Sequence, residues 1–267
     1  MEIQAYFTQQ NQLFLENFKQ SIQEDNKEVI HQMRVALKKI FAITTFLYKT
    51  DLMTKKDRSE QKAVKHLFSV AGNLRDAHIR LELMDQYSEK FSNPPILYAK
   101  RLSKQILQEH SLWKEEAKKF SKEQHINFCT LLEHKIGALP QKIIHQQARL
   151  FILGLIQQME TILLSHSWMQ QLHLIRIRLK RMHLIYQLYR PNSDVLLPEQ
   201  LKELELMLGR WHDHFILRSD VLDFQTCEKD QCHEIIVILK REMDALAIPI
   251  RQNLLKEFSL MRQELSQ

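Results

Sequence analysis

The chain of 267 residues has only four glycines and six prolines. So few turn-forming residues point to long helices, and no stretch shows the alternating pattern of a half-buried strand. Its three cysteines, Cys129, Cys227 and Cys232, do not form an even set. They read as free thiols in a reducing compartment and place the protein in the cytoplasm. No apolar run approaches the roughly 20 residues that cross a bilayer. The most hydrophobic stretch, Leu150 to Leu164, is interrupted by Gln157, Gln158 and Glu160. The opening Met1-Glu2-Ile3-Gln4 has neither the basic nor the apolar region of a signal peptide. Acidic residues are missing from two windows, Val29–Thr50 and Thr161–Ser193, which together hold nine bases. The remainder carries 29 bases against 32 acids, so the whole net charge of +6 originates in those windows. Concentrated charge of one sign favours an anionic partner.

Both windows contain the same phrase. His31-Gln32-Met33-Arg34-Val35-Ala36-Leu37-Lys38-Lys39 returns 142 residues later as His173-Leu174-Ile175-Arg176-Ile177-Arg178-Leu179-Lys180-Arg181. The shared frame is His, an Arg three residues on, a Lys four further, then another base. A second phrase follows each copy: Gly72-Asn73-Leu74-Arg75-Asp76 and Gly209-Arg210-Trp211-His212-Asp213. An internal repeat of this kind sets the architecture. It divides the chain at Gly137-Ala138-Leu139-Pro140 into halves 1–137 and 138–267.

The spacing predicts helices over roughly Gln4–Phe18, Lys27–Tyr48, Lys55–Gly72, Arg75–Lys90, Ile96–Phe120 with Ser121 capping the next, Gln141–Ser165, Met169–Tyr189, Pro198–Leu208, His212–Cys227, and Asp230 to the C-terminus with a kink at Pro249. Asn93-Pro94-Pro95 and Arg190-Pro191-Asn192 punctuate them, and Gly72 and Gly209 are expected as breaks. On a helix advancing about 100° per residue, His31, Arg34 and Lys38 fall within about 60° of one another. Met33, Leu37, Ile40, Phe41, Thr44 and Leu47 form the neighbouring core stripe. His173, Arg176 and Lys180 repeat the cationic face, beside Ile175, Leu179, Met182 and Tyr186. Such a face borders the core, as the wall of a groove does.

Four motifs in this order resemble the CHAD family, the conserved histidine α-helical domain. The pattern is His-x-x-Arg-x-x-x-Lys/Arg-Lys/Arg on one helix, then Gly-x-x-Arg-Asp or Gly-x-x-His-Asp, and the resemblance covers nearly the whole chain. It implies an all-α fold of two pseudo-symmetric four-helix bundles around a basic central groove that binds inorganic polyphosphate. Its binding residues would be His31, Arg34, Lys38, Lys39 and Arg75 on one side, and His173, Arg176, Lys180, Arg181 and His212 on the other. One departure is His78, where the family often has a second acid.

The residue types suit that ligand. Polyphosphate carries about one negative charge per phosphate and offers no base edges to read. Arginine grips phosphate oxygens with a planar fork and lysine supplies a mobile point charge. Affinity built from many such contacts should fall with salt. Bound phosphate should raise the pKa of His31 and His173, while Asp76 and Asp213 would orient Arg75 and His212 or cap the helices they open. The expectation is a non-catalytic protein with no cofactor and no metal, located in the cytoplasm with polyphosphate granules. It would have no membrane partner and would serve a phosphate-metabolising protein. Two other classes are open: a metal-dependent phosphohydrolase using His212-Asp213-His214, and a nucleic-acid binder. Repeated cations would repel the divalent ions the first needs. The second lacks interleaved aromatics. Trp113, Trp168 and Trp211 are expected in the core.

Overall fold

The computed structural model describes residues 3–24, 26–54, 61–87, 96–189, 199–225 and 232–266. Among them the fold is all-α, with no strand. The helices are α1 (Ile3–Gln23), α2 (Lys27–Lys49), α3 (Lys62–Tyr87), α4 (Ile96–Lys119), α5 (Lys122–Gly137), α6 (Gln141–Leu164), α7 (Leu172–Tyr189), α8 (Glu199–Gln225) and α9 (His233–Ser266). The expected marks at Lys55, Lys90, Asn93-Pro94-Pro95, Arg190-Pro191-Asn192, Pro198, Cys227 and Asp230 lie outside the described residues.

Several boundaries follow local chemistry. Asn26 caps α2, its side chain accepting from the Glu28 amide at 2.9 Å. Ser121 caps α5 in the same way through the Gln124 amide. Helix α5 ends at Gly137, and α6 starts one residue after Pro140. Two expected breaks are absent. Helix α3 runs unbroken through Gly72, and α8 runs unbroken through Gly209. Neither glycine has the positive φ that a turn would demand. A glycine costs a helix only about 1 kcal/mol, which packing along helices of 26 and 27 residues offsets. Helix α9 likewise continues through Pro249, and a single 3₁₀ turn, Met169–Gln171, leads into α7.

The chain forms two compact units. One comprises 1–75, 109–156 and 180–197; the other comprises 76–108, 157–179 and 198–267. Each draws on both sequence halves, so packing partitions the chain differently from the repeat. In the first unit α1 packs on α2 and α5. Phe14 and Phe18, one turn apart on α1, meet Trp113, Phe120 and His125 in edge-on contacts 4.9 to 6.0 Å between ring centres. The predicted stripe of α2 is buried, except that Phe41 is half-buried and set edge-on to Phe68.

In the second unit α8 packs on α9. Its core joins Met84, Tyr87, Tyr98, Leu102, Leu217, Val221, Cys232, Ile235 and Leu239. An ionic knot lies beside it. The Tyr98 hydroxyl donates to Asp220 Oδ2 at 2.6 Å, and Arg80 Nη1 meets the same oxygen at 2.8 Å. Arg101 reaches Asp220 Oδ1 at 3.5 Å. Trp113 and Trp211 are core, whereas Trp168 is half-buried beneath Arg251.

Candidate functional site

The two copies of the cationic phrase sit on α2 and α7, and burial matches at three of their four positions. Lys38 and Lys180 are exposed. His31 and His173 are half-buried, as are Lys39 and Arg181. Arg34 and Arg176 differ: the first is buried at 9% exposure, the second half-buried. Arg75 and His212, from the second phrase, are half-buried on α3 and α8.

In the first unit His31, Arg34, Lys38 and Arg75 form one electrostatic cluster. Burial first, then Arg75, hold the His31 imidazole below its ordinary value; Lys38 and Arg34 push the same way, and only Glu28 opposes them. Burial and the surrounding positive charge therefore both favour the neutral imidazole. Lys39 lies 5.7 Å from the centre of the Tyr6 ring, and burial lowers its pKa as well.

Arg34 is committed to its neighbouring helix. Its Nη1 donates to the Phe68 carbonyl of α3, and its guanidinium lies 4.2 Å from the centre of the Phe68 ring. A Cβ placed on Gly72 would come within 2.6 Å of Nη1. Gly72, expected as a helix break, is instead the space that the Arg34 guanidinium fills.

The second unit handles its arginine differently. Desolvation weighs against the charge of Arg176, and Asp213, Asp76 and Glu205 support it in that order. Its Nε is buried with no hydrogen-bond partner among the described residues. A window free of acid in sequence is thus not free of acid in space. Asp76 and Asp213 also lie inside α3 and α8. They open no helix and cap none, and both contribute counter-charge to Arg176. Among the described residues, nothing beyond its chain neighbours and its own helix backbone lies within 4 Å of a Cβ placed on Gly209. Glu205 stands four residues before Gly209, as Phe68 stands four before Gly72. That offset is the signal in the sequence that could have revealed the two settings.

The trio His212-Asp213-His214 does not share one accessible surface. His214 is buried and its Nε2 lies 2.9 Å from the Tyr87 hydroxyl. Among the described residues no three His, Cys, Asp or Glu side chains are grouped to hold a metal ion. No described helix is long and apolar enough to cross a membrane.

The CHAD domain family model matches residues 5–220. The crystal structure of the CHAD domain from the plant Ricinus communis is similar, with a TM-score of 0.68 at 14% identity, over 94% of this chain and 89% of that one. At that identity the likeness concerns the fold. No curated protein matches the chain. The repeated His-Arg-Lys phrases, the all-helical fold and a family match over most of the length agree: this chain belongs to the CHAD domain family.

Proposed function

We propose that the protein binds inorganic polyphosphate, without catalysis, through the cationic faces of α2 and α7 and the neighbouring residues Arg75 and His212. The observation that carries this is the cluster around His31. Arg75, Lys38 and Arg34 all act there as positive charges on one imidazole. Like charges brought together cost free energy, and an arriving polyanion turns that cost into attraction. Lys38 and Lys180, one from each copy, are exposed. Lys39, Arg181, His31 and His173 stand beside them at partial exposure, where a stem can pack while the head reaches solvent.

A chain phosphate with no base edge needs charge and hydrogen-bond donors, and these residues supply only those. The same cations disfavour a divalent-metal phosphohydrolase, and the burial of His214 against Tyr87 takes one member out of its ligand set. The proposed setting is the cytoplasm, with recruitment to polyphosphate or service to a phosphate-metabolising protein as the role.

The test is a titration with medium-chain polyphosphate at two salt concentrations, beside DNA of matched charge and a Lys38→Ala/Lys180→Ala double variant. Tight, salt-sensitive binding that prefers polyphosphate and collapses in the variant is expected. Equal affinity for DNA, or binding untouched by the double substitution, would refute it.

A further inference from the structure

We infer that Arg34 is the positioning residue of the first cationic face and not one of its phosphate contacts: its guanidinium, seated in a socket formed by Gly72 and Phe68, fastens α2 to α3 so that His31, Lys38 and Arg75 come together. The ligand's identity rests on the polyphosphate reading; the socket does not.

Three observations define the socket. Arg34 is only 9% exposed. Its Nη1 donates to the Phe68 carbonyl while its Cζ lies over the Phe68 ring, 4.2 Å from the ring centre. The position beside Nη1 is open only because residue 72 lacks a Cβ, which would sit at 2.6 Å. Glycine is a poor residue for a helix interior, and Gly72 has neither a turn nor a positive φ to justify it. Its contribution is room. A phosphate oxygen reaching Arg34 would have to compete with a carbonyl and an aromatic face already in place, whereas Lys38 is exposed.

The second copy is a built-in control. Gly209 occupies the equivalent place, yet among the described residues no atom beyond its chain neighbours and its own helix backbone lies within 4 Å of where its Cβ would be. Glu205 stands where Phe68 stands, and the carboxylates of Asp213, Asp76 and Glu205 act on Arg176. The repeat has kept the arginine and changed what holds it. Substituting the two glycines should therefore have opposite consequences.

The experiment is a double-mutant cycle read by chemical denaturation. Gly209→Ala should leave the midpoint unchanged or raise it, because alanine favours the helix and meets nothing. Gly72→Ala should lower it, and that loss should shrink in an Arg34→Met background, where no guanidinium fills the socket. Should Arg34→Met not fold, Arg34→Lys serves, since lysine has no planar fork to seat. Polyphosphate titrations across salt supply the second readout. Arg34→Met should weaken binding while leaving the slope of log affinity against log salt unchanged. Lys38→Ala should lower that slope by about 0.7, the value for one contact on a single-stranded polyanion. Additive effects of Gly72→Ala and Arg34→Met, or a slope that falls in Arg34→Met as it does in Lys38→Ala, would overturn the inference. Failure of the native protein to bind polyphosphate would refute the proposed function, and the stability cycle would still decide the socket.

Discussion

His125 should make the fold acid-sensitive in a window that can be stated in advance. It lies in the first turn of α5, 4% exposed, with the rings of Phe14 and Phe120 centred 4.9 and 5.7 Å away. Its Nε2–H donates to the buried Asn11 Oδ1 of α1 at 2.8 Å, and Cys129 Sγ sits 3.5 Å from the same nitrogen. Burial among these groups lowers the imidazole pKa from 6.5 to about 4. The unfolded chain therefore takes up a proton below pH 6.5, while the folded chain refuses it until about pH 4. Stability from the neutral imidazole is complete above the unfolded value and drains away as pH falls through this window. The full loss is about 3 kcal/mol, of which about 2 kcal/mol is gone by pH 5. Against a typical total of about 5–15 kcal/mol this is large. Urea denaturation at steps between pH 7.5 and 4.5 measures it. Comparison with His125→Gln separates this group from the other titrating residues. The variant should be weaker at neutral pH yet lose less on acidification, so the two curves converge. Parallel curves, or an imidazole that titrates near 6.5 in the folded protein by NMR, would refute the reasoning.

Binding of polyphosphate should take up protons at His31. Burial and cationic neighbours lower the pKa of that imidazole in the free site, and the bound anion favours the charged form. Affinity should rise as pH falls from the bound-state pKa to the free-state one, and calorimetry in buffers of different ionisation enthalpy should register the uptake. Tyr98→Phe should cost about 1.5–3 kcal/mol in denaturant unfolding, because the hydroxyl donates to a charged Asp220. Asp220→Asn should cost more, about 3–5 kcal/mol, by leaving the buried Arg80 without its counter-ion. Burial pushes the Cys129 thiol up to about 12, so site-resolved mass spectrometry after alkylation of the folded protein at pH 8 should find Cys129 unmodified and denaturation should expose it.

Side-chain periodicity made the helices and the core stripe of α2 legible from sequence, because a 3.6-residue period is a local property and Met33, Leu37 and Ile40 obey it. The capped ends at Asn26 and Ser121 are local too. Gly72 shows where local reasoning stops. Its intrinsic preference says break, but what fixes its place is an arginine 38 residues earlier in the chain. The same limit governs charge. The window around Arg176 holds no acid, yet α3 and α8 deliver Asp76, Asp213 and Glu205 to it. The window around His31 contains no acid either, and Glu28, just before it, acts on His31 against the three cations. Two phrases that look interchangeable on paper thus carry different electrostatics: in the first copy three cations act on His31, and in the second three carboxylates act on Arg176. If polyphosphate is the ligand, the two faces should contribute unequally. The greater share of affinity belongs to the α2 side, where Lys38→Ala should cost more than Lys180→Ala.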